Sequence, residues 1–481
     1  MCGIAGVLDR SGSASSADLA RMLAALRHRG PDDEGMASFG PLSMGMRRLS
    51  ILDPTPAGHQ PMASEDGRSW IVFNGEIYNF EELARELEAA GCSFDSASDT
   101  EVILAAYTVW GPRCVERFNG IWAFALWDDE RQTLLLSRDR FGVKPLFVAE
   151  QAGRFAFASE IKALLRLPWV ANDPDMSTVR DYLVDGWVDH TNHTFFRAIR
   201  QLPAAHNLVV TREGQTIERF WGPPPLSDDA RAAPDAADGR RIDEVRDLLI
   251  DAVALQLRSD VTVGSCLSGG LDSSGIVTIA AGLRERHIRL SPEHLRGRET
   301  QPHLAFFAEF HDEDIDERRF VDAVAAAAGL GVRTTTPTPD VFPTSLQPIV
   351  RAQDEPFPST SIVAGSIASV IVKDHPAHAA SGLSPLKLYE SMAAGVPVVV
   401  SALPGLQDTI ERHDCGIVVP ATVVAAVAHA VATLAASRDL RKRLGENGRR
   451  AALAHYSWQV SAEATARVVE RAVRRHARTD H

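Results

Sequence analysis

A cysteine stands directly after the first methionine in MCGIAG (Met1–Gly6). It is small enough for Met1 to be removed, which leaves Cys2 with a free α-amine. Such an amine titrates near ~7.7–8.0 and can serve as base for its own side chain. The thiol, with a reference pKa near ~8.5, needs only modest help to attack an amide as thiolate. A lone cysteine is more often structural, so the reading depends on its company. A second constellation is SCLSGGLDSSG (Ser265–Gly275), between a strand-like and a helix-like run. Its glycines let the backbone approach a phosphate, and a helix N-terminus presents free N–H groups to an anion. Ser268, Ser273 and Ser274 add hydroxyl donors, and Asp272 could hold Mg²⁺ beside the phosphates. No Gly-Lys-Ser/Thr follows, so this is not a Walker A loop. Its bland reading is a glycine-rich turn without a ligand.

Five motifs follow in order: MCGIAG, HRGPDDEG (His28–Gly35), RRLSILD (Arg47–Asp53), FNGEIYN (Phe73–Asn79) and SDTEVIL (Ser98–Leu104). Taken alone, FNGEIYN reads as a hairpin, because Asn-Gly is a strong turn signal. Together the five resemble the glutaminase domain of glutamine-hydrolysing asparagine synthetases, a class II glutamine amidotransferase with an N-terminal-nucleophile hydrolase fold. The resemblance implies Cys2 as nucleophile. It also implies that Arg48 and Asp99 grip the α-carboxylate and α-amine of glutamine, with Glu76 assisting. An arginine fork suits a carboxylate and an aspartate suits an ammonium. Asn74 and Gly75 would supply the side-chain and backbone donors of an oxyanion hole. RDRFGVKPLF (Arg138–Phe147) and FASEIKALL (Phe157–Leu165) narrow the family, whose members place the first stretch at the back of the domain. DHTNHTFF (Asp189–Phe196) and RQLPAAHNLVV (Arg200–Val210) carry the likeness to the domain's end.

Ser268, Gly269, Gly270, Leu271, Asp272, Ser273 and Ser274 match the pyrophosphate loop of ATP pyrophosphatases, which activate a carboxylate by adenylation. The likeness continues through IDERRF (Ile315–Phe320), PTPDVF (Pro337–Phe342) and QDEPFPSTSIVAGSIASVIVK (Gln353–Lys373). It implies ATP and Mg²⁺, a β-aspartyl-AMP intermediate, and ammonia delivered from the glutaminase pocket through an internal tunnel. The partners implied are glutamine and aspartate or a similar small carboxylate.

These residues need a scaffold. GIAGVL, SWIVFNGEIYN, IWAFALWD, TLLLSRD and RFAFASE are short apolar runs that predict strands. FEELARELEAAG and TEVILAAYTVWG space their apolar residues as helices do. This mixture predicts an α+β layered domain for residues 2–200, and the resemblance implies the αββα sandwich of an N-terminal-nucleophile hydrolase. Residues 201–241 read as a connecting strand and linker, with GPPPLSDDARAAPDAADGR (Gly222–Arg240) lacking any periodicity. From Ile242 helix and strand alternate, which predicts a parallel sheet flanked by helices. The resemblance makes residues 242–375 an α/β ATP-pyrophosphatase domain, incomplete at its end.

After VIVK a family member should continue into a second glycine/acid loop of the SGEGxDE type, whose Glu serves the adenylation chemistry. Here the chain reads DHPAHAASGLSPLKLYESMAAGVPVVVSALPG instead. Residues 381–481 resemble the end of a retaining GT-B glycosyltransferase, a partial Rossmann-like α/β tail. In such enzymes an acid at the place of Glu390 holds the nucleotide ribose. Its usual acidic partner, eight residues earlier, is Gly382 here. An acid in the first turns of a solvated helix is the preferred reading of Glu390.

Composition bounds the remainder. A 45% hydrophobic and 23% charged chain is an ordinary globular one, and a formal charge of -13 argues against nucleic-acid binding. Five scattered cysteines match neither a disulfide framework nor a zinc site. Neither a signal peptide nor a membrane span is expected, and a cytoplasmic location follows, with a homodimer as one open assembly. Three other readings stay open. One is an amidotransferase acting on a different carboxylate in a biosynthetic cluster, another a glycosyltransferase, and the last a non-catalytic remnant. Sugar-phosphate amidotransferases share the Cys2 domain but lack SGGLDSS.

Overall fold

The computed structural model describes residues 1–223 apart from Ser13, 239–284, 303–309, 317–336, 348–356, 398–401, 406–419 and most of 429–455. The chain forms two compact units, Met1–Pro337 with Val350–Val372, and Thr338–Ile349 with Lys373–His481.

The first unit begins with two six-stranded sheets. In one, strand Gly3–Asp9 lies between Leu42–Arg48 and Arg154–Ala158, and Asp33–Phe39, Phe147–Gln151 and Ile199–Gln201 extend it outward. In the other, Ser69–Ile77, Gly120–Asp128, Thr133–Arg138, His206–Val210 and Gln215–Arg219 follow one another, with Met62–Ala63 at one edge.

Alternation along the strands builds four layers, because successive side chains leave opposite faces. Ile4 and Leu8 from the first sheet pack with Val72, Ala123, Ala125, Trp127, Leu134 and Leu136 of the second, forming the core between sheets. The residues between them point the other way. Ala5 and Val7 meet Leu19, Met22 and Leu23 of helix Ser16–Ala25. Ile71, Phe73, Phe124 and Leu126 meet helices Phe80–Ala89 and Asp99–Trp110. This is the αββα sandwich expected from the sequence. The second sheet runs on past residue 200, since His206–Val210 pairs with both Thr133–Arg138 and Gln215–Arg219.

Helix Gly239–Gln256 then leads to a parallel three-stranded sheet ordered Gly264–Cys266, Leu304–Ala308, Gly331–Thr335. Helices Leu271–Arg284 and Arg318–Ala328 flank it, and Leu267, Val277, Ala305, Phe307 and Val321 form its core.

In the second unit, strands Val398–Ser401 and Gly416–Val419 pair in parallel, with helices Leu406–His413 and Arg438–His455 beside them. Glu390 and the predicted PLKLYESMAAG helix lie outside the described residues, as do most of the predicted linker and the SIVAGSIASVIVK stretch. Among the described residues no helix is long and apolar enough to cross a membrane.

Candidate active site

Strand register assembles a pocket around Cys2. Gly3 pairs with Arg47, so the antiparallel register sets Cys2 opposite Arg48. From the second sheet, Asn74, Gly75 and Glu76 enter on the strand paired to Ala123, Trp122 and Ile121. A Cβ on Gly75 would come within 2.2 Å of the Ile121 carbonyl oxygen, so only glycine fits there. Asp99 is the first residue of its helix, whose cap Ser98 accepts the Thr100 N–H at 3.2 Å. Cys2, Arg48, Asn74, Gly75, Glu76 and Asp99 line one pocket together with Lys144.

Each group there has a defined state. The Cys2 thiol bonds the backbone of Leu49, with 3.4 Å from Leu49 N to Sγ. Burial raises the thiol, while Leu49, the N-terminal amine, Arg48 and Lys144 pull it back down. Arg48 is buried and anchors through Nη2 to the carbonyls of Leu52 (2.9 Å) and Asp53 (2.8 Å). Burial pushes Asp99 up to about 7, helped by the Glu76 charge and opposed by the Ile77 N–H at 2.9 Å. Glu76 is likewise raised by burial, and Lys144 opposes that shift. Asn74 is 1% exposed, and its Nδ2 has no partner. A buried amide N–H₂ without an acceptor is a donor prepared for a ligand oxygen.

Three residues of this neighbourhood received no role from the sequence. Lys144 belongs to RDRFGVKPLF, expected at the back of the domain; the structure places it in the pocket wall instead. That stretch is held by the Arg138 guanidinium, which takes the carbonyls of Gly142, Lys144 and Leu202, and by the Asp139 carboxylate, which accepts the N–H groups of Phe141, Val143 and Lys144. Arg29 and Glu160 come from HRGPDDEG and FASEIK. Arg29 Nε donates to the Cys2 carbonyl at 2.7 Å and Nη1 to Glu160 at 2.8 Å. Burial works against the Glu160 charge, yet His28, Lys162 and Arg29 hold its carboxyl at about 2. Motif membership was their only sequence signal.

Arg29 and Glu160 also line a cleft of about 540 Å³ shared with Asp354 and Glu355. Met1 lines both this cleft and the Cys2 pocket. Asp354 accepts the Lys162 N–H at 2.9 Å, and Glu355 accepts the Phe195 N–H at 2.7 Å. Burial pushes Glu355 up to about 7.

The predicted phosphate loop forms separately, between strand Gly264–Cys266 and helix Leu271–Arg284. Gly269 has φ +81°, a conformation open to glycine. Ser268 and Ser273 share a hydroxyl hydrogen bond of 3.0 Å, and the buried Ser274 Oγ has no partner. Leu271 and Asp272 stand exposed in the first helical turn. A glycine-bearing turn at a helix N-terminus, with one hydroxyl lacking a partner, is compatible with a phosphate. Among the described residues no group of three or more His, Cys, Asp or Glu could hold a metal ion. Asp272 alone fits Mg²⁺ only as a nucleotide complex, in which phosphates and water supply the other ligands.

Comparison with known proteins agrees with this division. A glutamine amidotransferase domain family matches residues 1–221, asparagine synthase matches 244–378, and glycosyl transferases group 1 matches 375–451. Asparagine synthetase [glutamine-hydrolyzing] 3 of Bacillus subtilis is 36% identical over 333 residues, 68% of this chain and 53% of its own. Asparagine synthetase [glutamine-hydrolyzing] 1 of the same organism is 31% identical over 392 residues, 79% of this chain and 57% of its own. Amidase chyE of Penicillium rubens is 32% identical over 350 residues, 69% of this chain and 50% of its own. The chain therefore spans about half the length of the curated relatives it matches. Through its first two segments it belongs to the glutamine-hydrolysing asparagine synthetase family, and a segment similar to glycosyl transferases group 1 follows them.

Proposed function

We propose that the Cys2 pocket hydrolyses glutamine to glutamate and ammonia. One observation carries this reading: the buried thiol shares a pocket with an arginine, two carboxylates and an asparagine amide that lacks an acceptor. Arg48 takes the glutamine α-carboxylate, and Asp99 with Glu76 takes the α-ammonium. Removal of Met1 places the α-amine on Cys2, where it accepts the thiol proton. The sulfur then attacks the side-chain amide carbon, and the oxyanion draws on Asn74 Nδ2 and the Gly75 N–H. The C–N bond breaks as the amine returns its proton to the leaving ammonia. Water cleaves the thioester and frees glutamate.

The ammonia is proposed to meet an aspartate, or a similar small carboxylate, activated as an acyl-adenylate. ATP supplies that activation. Residues 268–274 would hold its phosphates and Asp272 its Mg²⁺, while the interrupted segment after 375 leaves this half impaired. Glu390 is not proposed as a sugar-nucleotide ligand, because its usual acidic partner is Gly382 here. A cytoplasmic location, and the division into residues 2–200, 201–241, 242–375 and 381–481, belong to the same reading.

The decisive experiment measures glutamate release by the 481-residue protein and its Cys2→Ala variant. Loss of release in the variant is expected, because nucleophile and base reside on one residue. Wild-type turnover in Cys2→Ala would refute the assignment.

A further inference from the structure

We infer that the glutamine pocket is completed from outside its own sandwich, by Arg258 and Asp260 of the segment that leads into the phosphate loop. The inference rests on the proposed glutaminase and names two positioning residues: Asp260 acts through Asp53 on Arg48 and Asp99, and Arg258 acts through Tyr78.

The turn after Arg48 is bracketed by Asp260. The Asp53 N–H donates to Asp260 Oδ2 at 2.8 Å, and the Asp260 N–H donates to the Ile51 carbonyl at 3.2 Å. Two hydrogen bonds of opposite sense therefore fix Ile51 and Asp53 against one residue. The turn needs such support, because Asp53 has φ +47°, a left-handed conformation uncommon outside glycine.

Asp53 is also a junction for the pocket. Its carbonyl accepts from Arg48 Nη2 at 2.8 Å. Its carboxylate accepts the Ala97 N–H at 3.0 Å, two residues before Asp99. Both groups proposed to grip the ends of glutamine thus depend on the placement of Asp53, and Asp260 holds its backbone.

Arg258 secures the opposite wall. It is 3% exposed and donates to the Tyr78 carbonyl at 2.6 Å and to both Glu82 oxygens at 2.8 and 2.7 Å. Tyr78 directly follows the strand that carries Asn74, Gly75 and Glu76. LRSD (Leu257–Asp260) therefore holds both the turn after Arg48 and the residue that follows the Asn74–Glu76 strand. None of these residues touches the thiol.

The test uses the full-length protein. Asp260 is exposed, so Asp260→Ala is a surface change that folding should tolerate. The KM for glutamine is expected to rise about fivefold or more, as loss of one charge-assisted hydrogen bond predicts. The kcat and the rate of Cys2 alkylation by iodoacetamide should stay within roughly twofold, since a ground-state binding defect leaves the chemical step in place. Asp260→Asn keeps an amide oxygen for the Asp53 N–H and should restore most of the affinity. Asp260→Ser, too short to reach, should behave like the alanine variant and decides the matter if that variant misfolds. An unchanged KM in both short variants would overturn the inference, as would a fall in kcat with KM constant. If the wild type itself releases no Cys2-dependent glutamate, the glutaminase reading fails instead.

Discussion

Arg29 Nε donates to the carbonyl oxygen of Cys2 at 2.7 Å, while the same guanidinium holds Glu160 through Nη1 at 2.8 Å. The arginine side chain is 8% exposed. Its planar fork ties the backbone of the nucleophile to a carboxylate that Lys162 and His28 also grip. The carbonyl of residue 2 cannot turn without breaking that fork, so the Sγ and α-amine positions are set from behind.

Arg29→Lys should expose this dependence. An ammonium cannot donate along both fixed directions of a guanidinium. The expected result is a kcat for glutamine lowered by about 10²-fold, the scale of loss from a misplaced reacting group. The KM should change little, because Arg48, Glu76 and Asp99 are not bonded to Arg29. Steady-state glutaminase kinetics with the active fraction titrated by iodoacetamide decide it; a wild-type kcat would refute the argument.

Asp99 gives a pH dependence with a definite sign. Burial lifts its carboxyl from 3.8 to about 7 in the ligand-free pocket, and only the anion can hold an ammonium. The kcat/KM for glutamine reports the free enzyme, so it should fall as pH drops below about 7. Asp99→Asn should remove the Asp99 contribution to that limb, leaving the one set by the Cys2 α-amine, and lower kcat/KM throughout. A raised native pKa also means that stability is lost as pH rises from 3.8 through about 7. Thermal unfolding should therefore show Asp99→Asn gaining on the wild type across that window. An unchanged acid limb in the variant would refute the role given to Asp99.

How much of this was legible in the sequence depended on whether a contact is local. GIAGVL, IWAFALWD and TLLLSRD show alternating or apolar runs, and each became a strand where expected. Asp33–Phe39 and Leu42–Arg48 were not read. The second carries a strand signal in the alternating buried Leu42, Met44 and Met46 that was overlooked, while the first buries only Gly35, which carries no hydrophobic signal. Helix Ser16–Ala25 was missed although Ser15 caps it and Leu19, Met22, Leu23 and Leu26 are buried at helical spacing. The six residues named for the glutamine pocket came from motif resemblance, and strand register explains why they line one pocket. Arg29, Lys144 and Glu160 were missed because their partners lie far along the chain: Arg29 and Glu160 are 131 residues apart. No local periodicity encodes such a pairing.

Arg138 should dominate the stability of the RDRFGVKPLF stretch. Its guanidinium is the donor for the carbonyls of Gly142 (2.6 Å), Leu202 (2.7 Å) and Lys144 (2.8 Å). Arg138→Ala strands three acceptors, and buried unsatisfied groups put the loss on the order of 3 kcal/mol. Urea unfolding measures it, and a change below about 1 kcal/mol, an ordinary surface effect, would contradict the assignment. Glutaminase activity should fall with it, since Lys144 would leave the pocket wall.

The last prediction concerns residues 242–375 and goes against the family's usual outcome. The loop at 268–274 has the geometry for pyrophosphate: Gly269 at φ +81°, serine hydroxyls, and a helix N-terminus. Adenylation needs more than a phosphate cradle. The acceptor carboxylate must be placed beside the α-phosphate, and the resemblance assigns that work to a second glycine/acid loop. Within these 481 residues the asparagine synthase match ends at 378, where a glycosyltransferase match has already begun at 375. Positioning and charge stabilisation supply most of the barrier reduction in such chemistry, so a half-built site should lose several orders of magnitude. Among the described residues, Gly331–Thr335 is also an edge strand of the small parallel sheet. An unpaired edge favours association over catalysis. Supplied with ammonia, aspartate, ATP and Mg²⁺, so that the glutaminase is bypassed, the protein should form little AMP and little asparagine while still hydrolysing glutamine. AMP and asparagine appearing together, in equal amounts and at an ordinary enzymatic rate of about 1 s⁻¹ or more, would overturn this. Residues after 378 would then have rebuilt the acceptor site, and Ser274→Ala, which removes the orphan hydroxyl of the loop, should slow AMP formation without touching glutamate release.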